Sequence, residues 1–174
     1  MSESRASVHA SAVRVGNRAV LIRGPSGAGK SRLAFDLIMA GRTGVIDKTV
    51  LVGDDRVYLA TVGNEIEVRS VPVLAGLIEV RGLGLRRCDF VERATVGLVV
   101  DLAADDAERL PASEALFTRI SGVKIPRIPV GVSFSPVPLV VAALTTAESL
   151  PSVNPSADCL KGNGNHIKPT IATE

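Results

Sequence analysis

The sequence predicts an α/β fold, and three observations carry that expectation. A fully apolar run, Ala19-Val20-Leu21-Ile22, leads into a glycine-rich segment, which leads into an amphipathic stretch. Further β-prone apolar runs are spaced along the chain. Two short spacers, Gly16-Asn17 and Gly63-Asn64, each carry a hairpin signal. The chain has 174 residues, enough for one domain with a full-sized core.

In chain order, 8–15 and 18–23 read as two strands joined at Gly16-Asn17. The second is apolar on both faces, as a central strand would be. Residues 30–40 read as a helix, because Leu33, Ala34, Leu37 and Ile38 fall on one face. Gly41 stands where a left-handed helix cap is expected. Strands are expected at 49–52, at 57–60 and 66–68 as a second hairpin, at 77–81 and at 95–102. The acidic stretch 104–110 reads as a short helix or turn. Pro126 and Pro129 exclude 124–130 from a central strand, because proline removes a ladder donor. Ser135-Pro136 is a helix-start pair, with the helix expected over 139–147. Residues 151–174 are rich in Pro, Ser, Asn and Gly without periodicity and read as a flexible tail to a domain spanning 1–150.

Composition narrows the function. Hydrophobic residues make up 46% and charged residues 22%, an ordinary globular balance that excludes wholesale disorder. Aromatics are 3%, which argues against a stacking platform for single-stranded nucleic acid. The net charge of +2 is too small for strong attraction to DNA or a membrane surface. It is uneven: eight Lys/Arg against three Asp/Glu fall in residues 1–50, which suits an anionic small ligand. Cys88 and Cys159 form no CxxC or Cys/His cluster, so a structural zinc site is not expected and both read as reduced thiols. No run of 18 apolar residues and no signal-peptide core at 1–12 is present, so the expectation is a soluble cytoplasmic protein.

Gly24-Pro25-Ser26-Gly27-Ala28-Gly29-Lys30-Ser31 fits G-x-x-x-x-G-K-[ST]. Glycines let successive backbone N–H groups converge on phosphate oxygens, and the helix that follows adds the positive end of its dipole. Lys30 would neutralise the outer phosphates, and Ser31 would offer its hydroxyl to Mg²⁺. GTPase, ATPase and kinase readings share this cradle. No N/T-K-x-D base-reading segment of the GTPase kind is present. Asp54 and Asp55 end an apolar strand, where α/β proteins place ligands. One carboxylate there would hold metal and the other would serve as a general base; the alternative is an Asp-rich turn before the hairpin. Glu79 and Arg81 share a strand face if the strand runs through both, which would aim a carboxylate and a guanidinium together; a solvated salt-bridged edge is the alternative.

These segments together resemble the catalytic domain of the HPr kinase/phosphorylase family. The resemblance rests on Val8-His9-Ala10, the 24–31 loop, Leu51-Val52-Gly53-Asp54-Asp55, and Ile78-Glu79-Val80-Arg81-Gly82-Leu83-Gly84, in that order. It covers about residues 8–110, with a fainter echo to about 145. It implies a mixed sheet around a P-loop, similar to phosphoenolpyruvate carboxykinase, with which both hairpins are compatible. It also implies ATP and Mg²⁺ as cofactors. By the same resemblance His9 supports the catalytic aspartate, Asp54 is the proton acceptor and Lys30 the catalytic lysine. Ser31 and Glu79 are the magnesium positions, with Asp55 a further metal candidate, and Arg81 and Arg109 stabilise the transferring phosphoryl group. The implied substrate is a serine of the phosphocarrier HPr or a paralogue, and the implied assembly is a homo-oligomer, a hexamer. Only seven residues precede Val8, so the family's separate N-terminal domain has no counterpart here, as in short alphaproteobacterial forms. Val132-Ser133-Phe134-Ser135 stands where the family carries an arginine-containing motif tied to dephosphorylation, which argues against phosphorolysis. A nucleotide-binding regulatory module without protein kinase activity and a small-molecule kinase are the other readings.

Overall fold

A computed structural model describes residues 7–147. The expected tail at 151–174, including Cys159, lies outside the described residues, as does the end of the 1–150 domain. Strands β1 (Ser11–Val15) and β2 (Arg18–Arg23) form the first hairpin, and helix α1 (Lys30–Arg42) follows the glycine-rich loop. Strand β3 (Thr49–Gly53) precedes the hairpin β4 (Val57–Val62) and β5 (Glu65–Ser70). A small ribbon, β6 (Leu77–Val80) and β7 (Gly84–Arg87), leads to the long β8 (Arg93–Leu102). Then come β9 (Phe117–Ile120), β10 (Val123–Val130) and helix α2 (Pro136–Thr145).

The main sheet is mixed, as expected, in the order β3-β1-β2-β8-β10-β9. β2 and β10 run parallel to β8, and β1 is antiparallel to both β2 and β3. β5 pairs antiparallel with the first residues of β8 and brings β4 with it. β6 and β7 pair only with each other.

The period of two explains why β2 is apolar throughout. Val20 and Ile22 join Leu33, Ala34, Leu37 and Ile38 of α1 on one face of the sheet. Ala19 and Leu21 pack on the other face with Val52, Val57, Val68 and Val99. Both faces are therefore dry, and β2 sits between β1 and β8 as a central strand should. Among the described residues no helix is long and apolar enough to cross a membrane.

Several expectations need correction. The helix runs through Gly41 to Arg42, and the left-handed residue after it is Gly44 (φ 75). Gly41 is glycine for proximity, since a Cβ there would lie 2.6 Å from Thr49 Oγ1 and 2.7 Å from the Thr49 backbone nitrogen. β10 is an interior strand despite Pro126 and Pro129. β9 pairs with its residues 123–126 and β8 with 127–130. Each half is thus an edge on one side, where a missing N–H is tolerated. The 104–110 stretch takes the turn form of its two expected alternatives, and β7 is a strand the sequence pattern does not signal. Val8 makes only an isolated bridge to Val57, so the first strand starts at Ser11. Ser135 does stand at the N-cap position of α2, without a side-chain capping bond, and Pro136 does open the helix, three residues earlier than the periodicity placed it.

Charged side chains tie β2, β8 and β10 together on the face away from α1. Arg23 donates two hydrogen bonds to Asp101, at 2.6 and 2.7 Å, and Arg127 donates to Asp101 from the other side. Arg127 also holds Asp106 at 2.6 and 2.9 Å. Burial pushes the Asp101 carboxyl up, but the hydrogen bonds from Arg23 and Arg127 outweigh it and leave it below the usual carboxylate range. Because its folded-state pKa is depressed, this carboxylate stabilises the fold fully above its unfolded value, about 3.9, and the contribution disappears as pH falls through the folded value. Asp101→Asn is expected to cost about 2 kcal/mol at pH 7, since it leaves two half-buried arginines short of a charge partner. Denaturant melts across pH should show the gap to wild type closing in acid.

Candidate active site

The glycine-rich loop begins where β2 ends. At Gly24 (φ 147) a Cβ would lie 2.9 Å from the Leu102 carbonyl oxygen, so the turn off the strand admits no side chain. Gly27 and Gly29 have φ of 80 and 95, in the left-handed region, with open space around them. That conformation turns the loop over the start of α1. Gly29 is the N-cap residue and no side chain caps the helix. The first-turn amides of Lys30, Ser31 and Arg32 therefore have no intrahelical partner and point toward the loop.

Lys30 is buried, and its ammonium donates to the carbonyl oxygens of Gly24 (2.9 Å) and Pro25 (3.1 Å). Burial holds its pKa below the usual lysine range, against the opposing charges of Asp55 and Asp54.

The acidic pair divides into two different environments. Asp54 is 3% exposed. Its Oδ1 accepts a hydrogen bond from the Ser11 hydroxyl at 2.5 Å, and its Oδ2 accepts from the Glu79 backbone N–H at 3.0 Å. Asp55 has a side chain 65% exposed and a φ of 64, a left-handed conformation tolerated by Asp more readily than by most residues. His9 lies beside it, Nε2 to Oδ1 at 3.5 Å. The Val8–Val57 bridge, with N–H···O bonds of 2.8 and 3.1 Å in the two directions, holds His9 there. The aspartate next to His9 is thus Asp55, whereas the resemblance assigns His9 to Asp54.

Glu79 is exposed on β6, and its own amide ties that strand to Asp54. β6 ends at Val80, where a turn closed by Leu83 N–H to the Val80 carbonyl begins. Arg81 therefore sits in the turn, and the shared strand face expected for Glu79 and Arg81 does not form. Arg81 and Arg109 are both exposed, and neither makes a hydrogen bond or ion pair to the site among the described residues.

Ser31, Glu79 and Asp55 are hard oxygen donors, the kind Mg²⁺ takes. Among the described residues no three His, Cys, Asp or Glu side chains cluster as a cage. An ion bound by one or two carboxylates together with ligand phosphates needs no such cage, so the donor set fits Mg²⁺ held jointly with a nucleotide. Ser11 went unnoticed in the sequence. Its only signal is a hydroxyl two residues after His9 at the start of a mostly apolar strand.

A glycine turn at a helix start, a buried lysine and an adjacent pair of carboxylates, one buried and one exposed, stand on a mixed α/β sheet. Comparison with known proteins places the chain further. Residues 2–149 match the family described as HPr Serine kinase C-terminal domain, and the chain belongs to that family. The HPr kinase/phosphorylase of Mycoplasma mycoides subsp. mycoides is 35% identical over 140 residues, covering 72% of this chain and 42% of that protein. That of Burkholderia lata is 40% identical over 82 residues, 47% of this chain and 23% of that protein. The chain thus spans less than half the length of these relatives. The solved Hpr(Ser) kinase/phosphatase from Coxiella burnetii superposes with a TM-score of 0.62 at 25% identity, over 80% of this chain and 93% of that one.

Ser11→Ala would leave Asp54 Oδ1 without its donor inside the core. A loss of about 2 kcal/mol in unfolding free energy is expected. A double-mutant cycle with Asp54→Ala should return a coupling of about 1–3 kcal/mol in chemical denaturation.

Proposed function

We propose that this chain is an ATP- and Mg²⁺-dependent protein kinase that phosphorylates a serine of an HPr-type phosphocarrier. The observation that carries the reading is the buried lysine under the glycine turn at the start of α1, whose ammonium feels the charges of Asp55 and Asp54. Family membership and the names of the relatives support the choice of acceptor.

In this reading the loop amides at 24–31 and Lys30 bind the β- and γ-phosphates of ATP. To reach them, the Lys30 ammonium exchanges its bonds to Gly24 and Pro25 for phosphate oxygens. Ser31 and Glu79, with Asp55 nearby, hold Mg²⁺, which when bound neutralises charge on the phosphates. The acceptor serine oxygen forms a bond to the γ-phosphorus, the bond from that phosphorus to the bridging β–γ oxygen breaks, and ADP leaves with the electron pair. The serine proton passes to a carboxylate. Arg81 and Arg109 stabilise the equatorial charge if the turn and the loop after β8 close over the bound nucleotide.

The sequence reading gives the proton to Asp54. The geometry supports Asp55 better: it is exposed to an incoming hydroxyl and has His9 to steady it. Asp54 is buried with each oxygen already accepting a hydrogen bond, which suits holding the turn and β6 in place. Phosphorolysis is left out of the proposal, because the 131–134 turn offers the exposed Val132 and no arginine.

Asp55→Asn is expected to lower kcat for transfer to HPr by about 10²–10⁴-fold, the scale of a lost general base, with ATP affinity within a few-fold of wild type. Asp54→Asn should instead lower thermal stability together with activity. Radiolabelled transfer and nucleotide titration on both variants decide between them. The opposite pattern would return the base to Asp54, and nucleotide binding without any phosphoserine in the wild type would make the chain a regulatory module.

A further inference from the structure

The β6–β7 ribbon has an outer surface that neither the sheet nor α1 covers. All four residues of β7 are exposed. Leu83 and Leu85 are 69% and 67% exposed, and two large aliphatic side chains so placed are an unpartnered apolar contact. Three arginines, Arg81, Arg86 and Arg87, lie on β7 and the turn before it, against the single acid Glu79 on the two strands and that turn. Among the described residues these three arginines form no ion pair, although Arg18, Arg23, Arg69 and Arg127 all do.

The strand register says which side chains act together. Glu79 is paired with Leu85, and Leu77 with Arg87. Cross-strand partners lie on one face about 5 Å apart, so Leu85 and Arg87 flank Glu79 on the face it presents. The Glu79 amide is itself bonded to Asp54 at 3.0 Å, which fixes this face at the edge of the candidate active site.

We infer that the Glu79 face of the ribbon, with Leu85 at its centre and Arg87 and Arg81 at its rim, is the docking surface for the protein that receives the phosphoryl group. The partner would present an apolar contact ringed by carboxylates next to its acceptor hydroxyl. The inference rests on the kinase reading and adds the recognition surface to it. Asp55 is the residue after the carboxylate that holds β6, so a protein whose hydroxyl reaches Asp55 has the ribbon close at hand. A second copy docked by two-fold symmetry would set Arg81 and Arg87 against the same two arginines, which opposes that occupant.

The test uses the full chain with HPr as acceptor and two variants, Leu85→Ala and Arg87→Glu, neither in the phosphate or metal machinery. The acceptor KM is expected to rise about tenfold or more in each, with kcat and ATP affinity within twofold, since an aliphatic anchor or a rim charge acts on association. For Arg87→Glu, the difference from wild type should shrink at high salt. Calorimetric titration of HPr into each protein without ATP reads docking independently of transfer. Unchanged HPr affinity and KM in both variants would overturn the docking surface and leave the kinase reading standing. HPr binding that is intact in wild type and lost in the variants, with no transfer by any of them, would support the surface and sink the kinase reading. Loss of self-association in the variants by sedimentation, with HPr affinity unchanged, would assign the face to a second copy and overturn the inference.

Discussion

The Asp54 carboxylate joins three parts of the chain that are far apart in sequence. It ends β3, accepts the Ser11 hydroxyl from β1 and accepts the Glu79 amide from β6. A carboxylate 3% exposed is stable only when its oxygens are satisfied, and here two donors from two strands do it. The reciprocal effect is positional. β6 pairs with no strand of the main sheet, so this bond and the packing of Ile78 and Val80 locate it. The turn carrying Asp55 and the strand carrying Glu79 are thereby held to one another through Asp54.

The loop shows the same economy of means. Gly24 must leave β2 against the Leu102 carbonyl, and Gly27 and Gly29 adopt positive φ. The same glycines leave the first-turn amides of α1 uncapped. Lys30 is drawn into this half-dry site at a cost in desolvation, partly offset by the two nearby aspartates. Its partners are the neutral carbonyls of Gly24 and Pro25, weaker acceptors than charged oxygens are.

On the far side of the sheet, Arg23, Asp101 and Arg127 staple the parallel strands at their carboxyl ends. β2 supplies both a member of that staple and the first residue of the loop. The ionic network and the glycine turn are thus adjacent in sequence at one strand end. β10, interrupted by two prolines, is locked to β8 through Arg127 as well as through its ladder.

Much of this was legible from residue order alone. The strand–loop–helix unit at 19–42 is local: apolar alternation, glycine freedom and helical periodicity act over neighbouring residues, so the sequence determined them. The hairpins at Gly16-Asn17 and Gly63-Asn64, the start of α2 at Ser135-Pro136, and the candidate residues of the loop and acidic turn were read for the same reason. What depends on contacts between distant segments was decided only by the tertiary structure. The prolines of β10 looked prohibitive until the sheet assigned each half its own neighbour. Gly41 looked like a cap until Thr49 arrived against it. Which of two adjacent aspartates is buried, and which stands beside His9, has no signature in Asp-Asp itself. Burial and hydrogen-bond partners come from Ser11 and Glu79, 43 and 25 residues away, and chain order does not encode such distances.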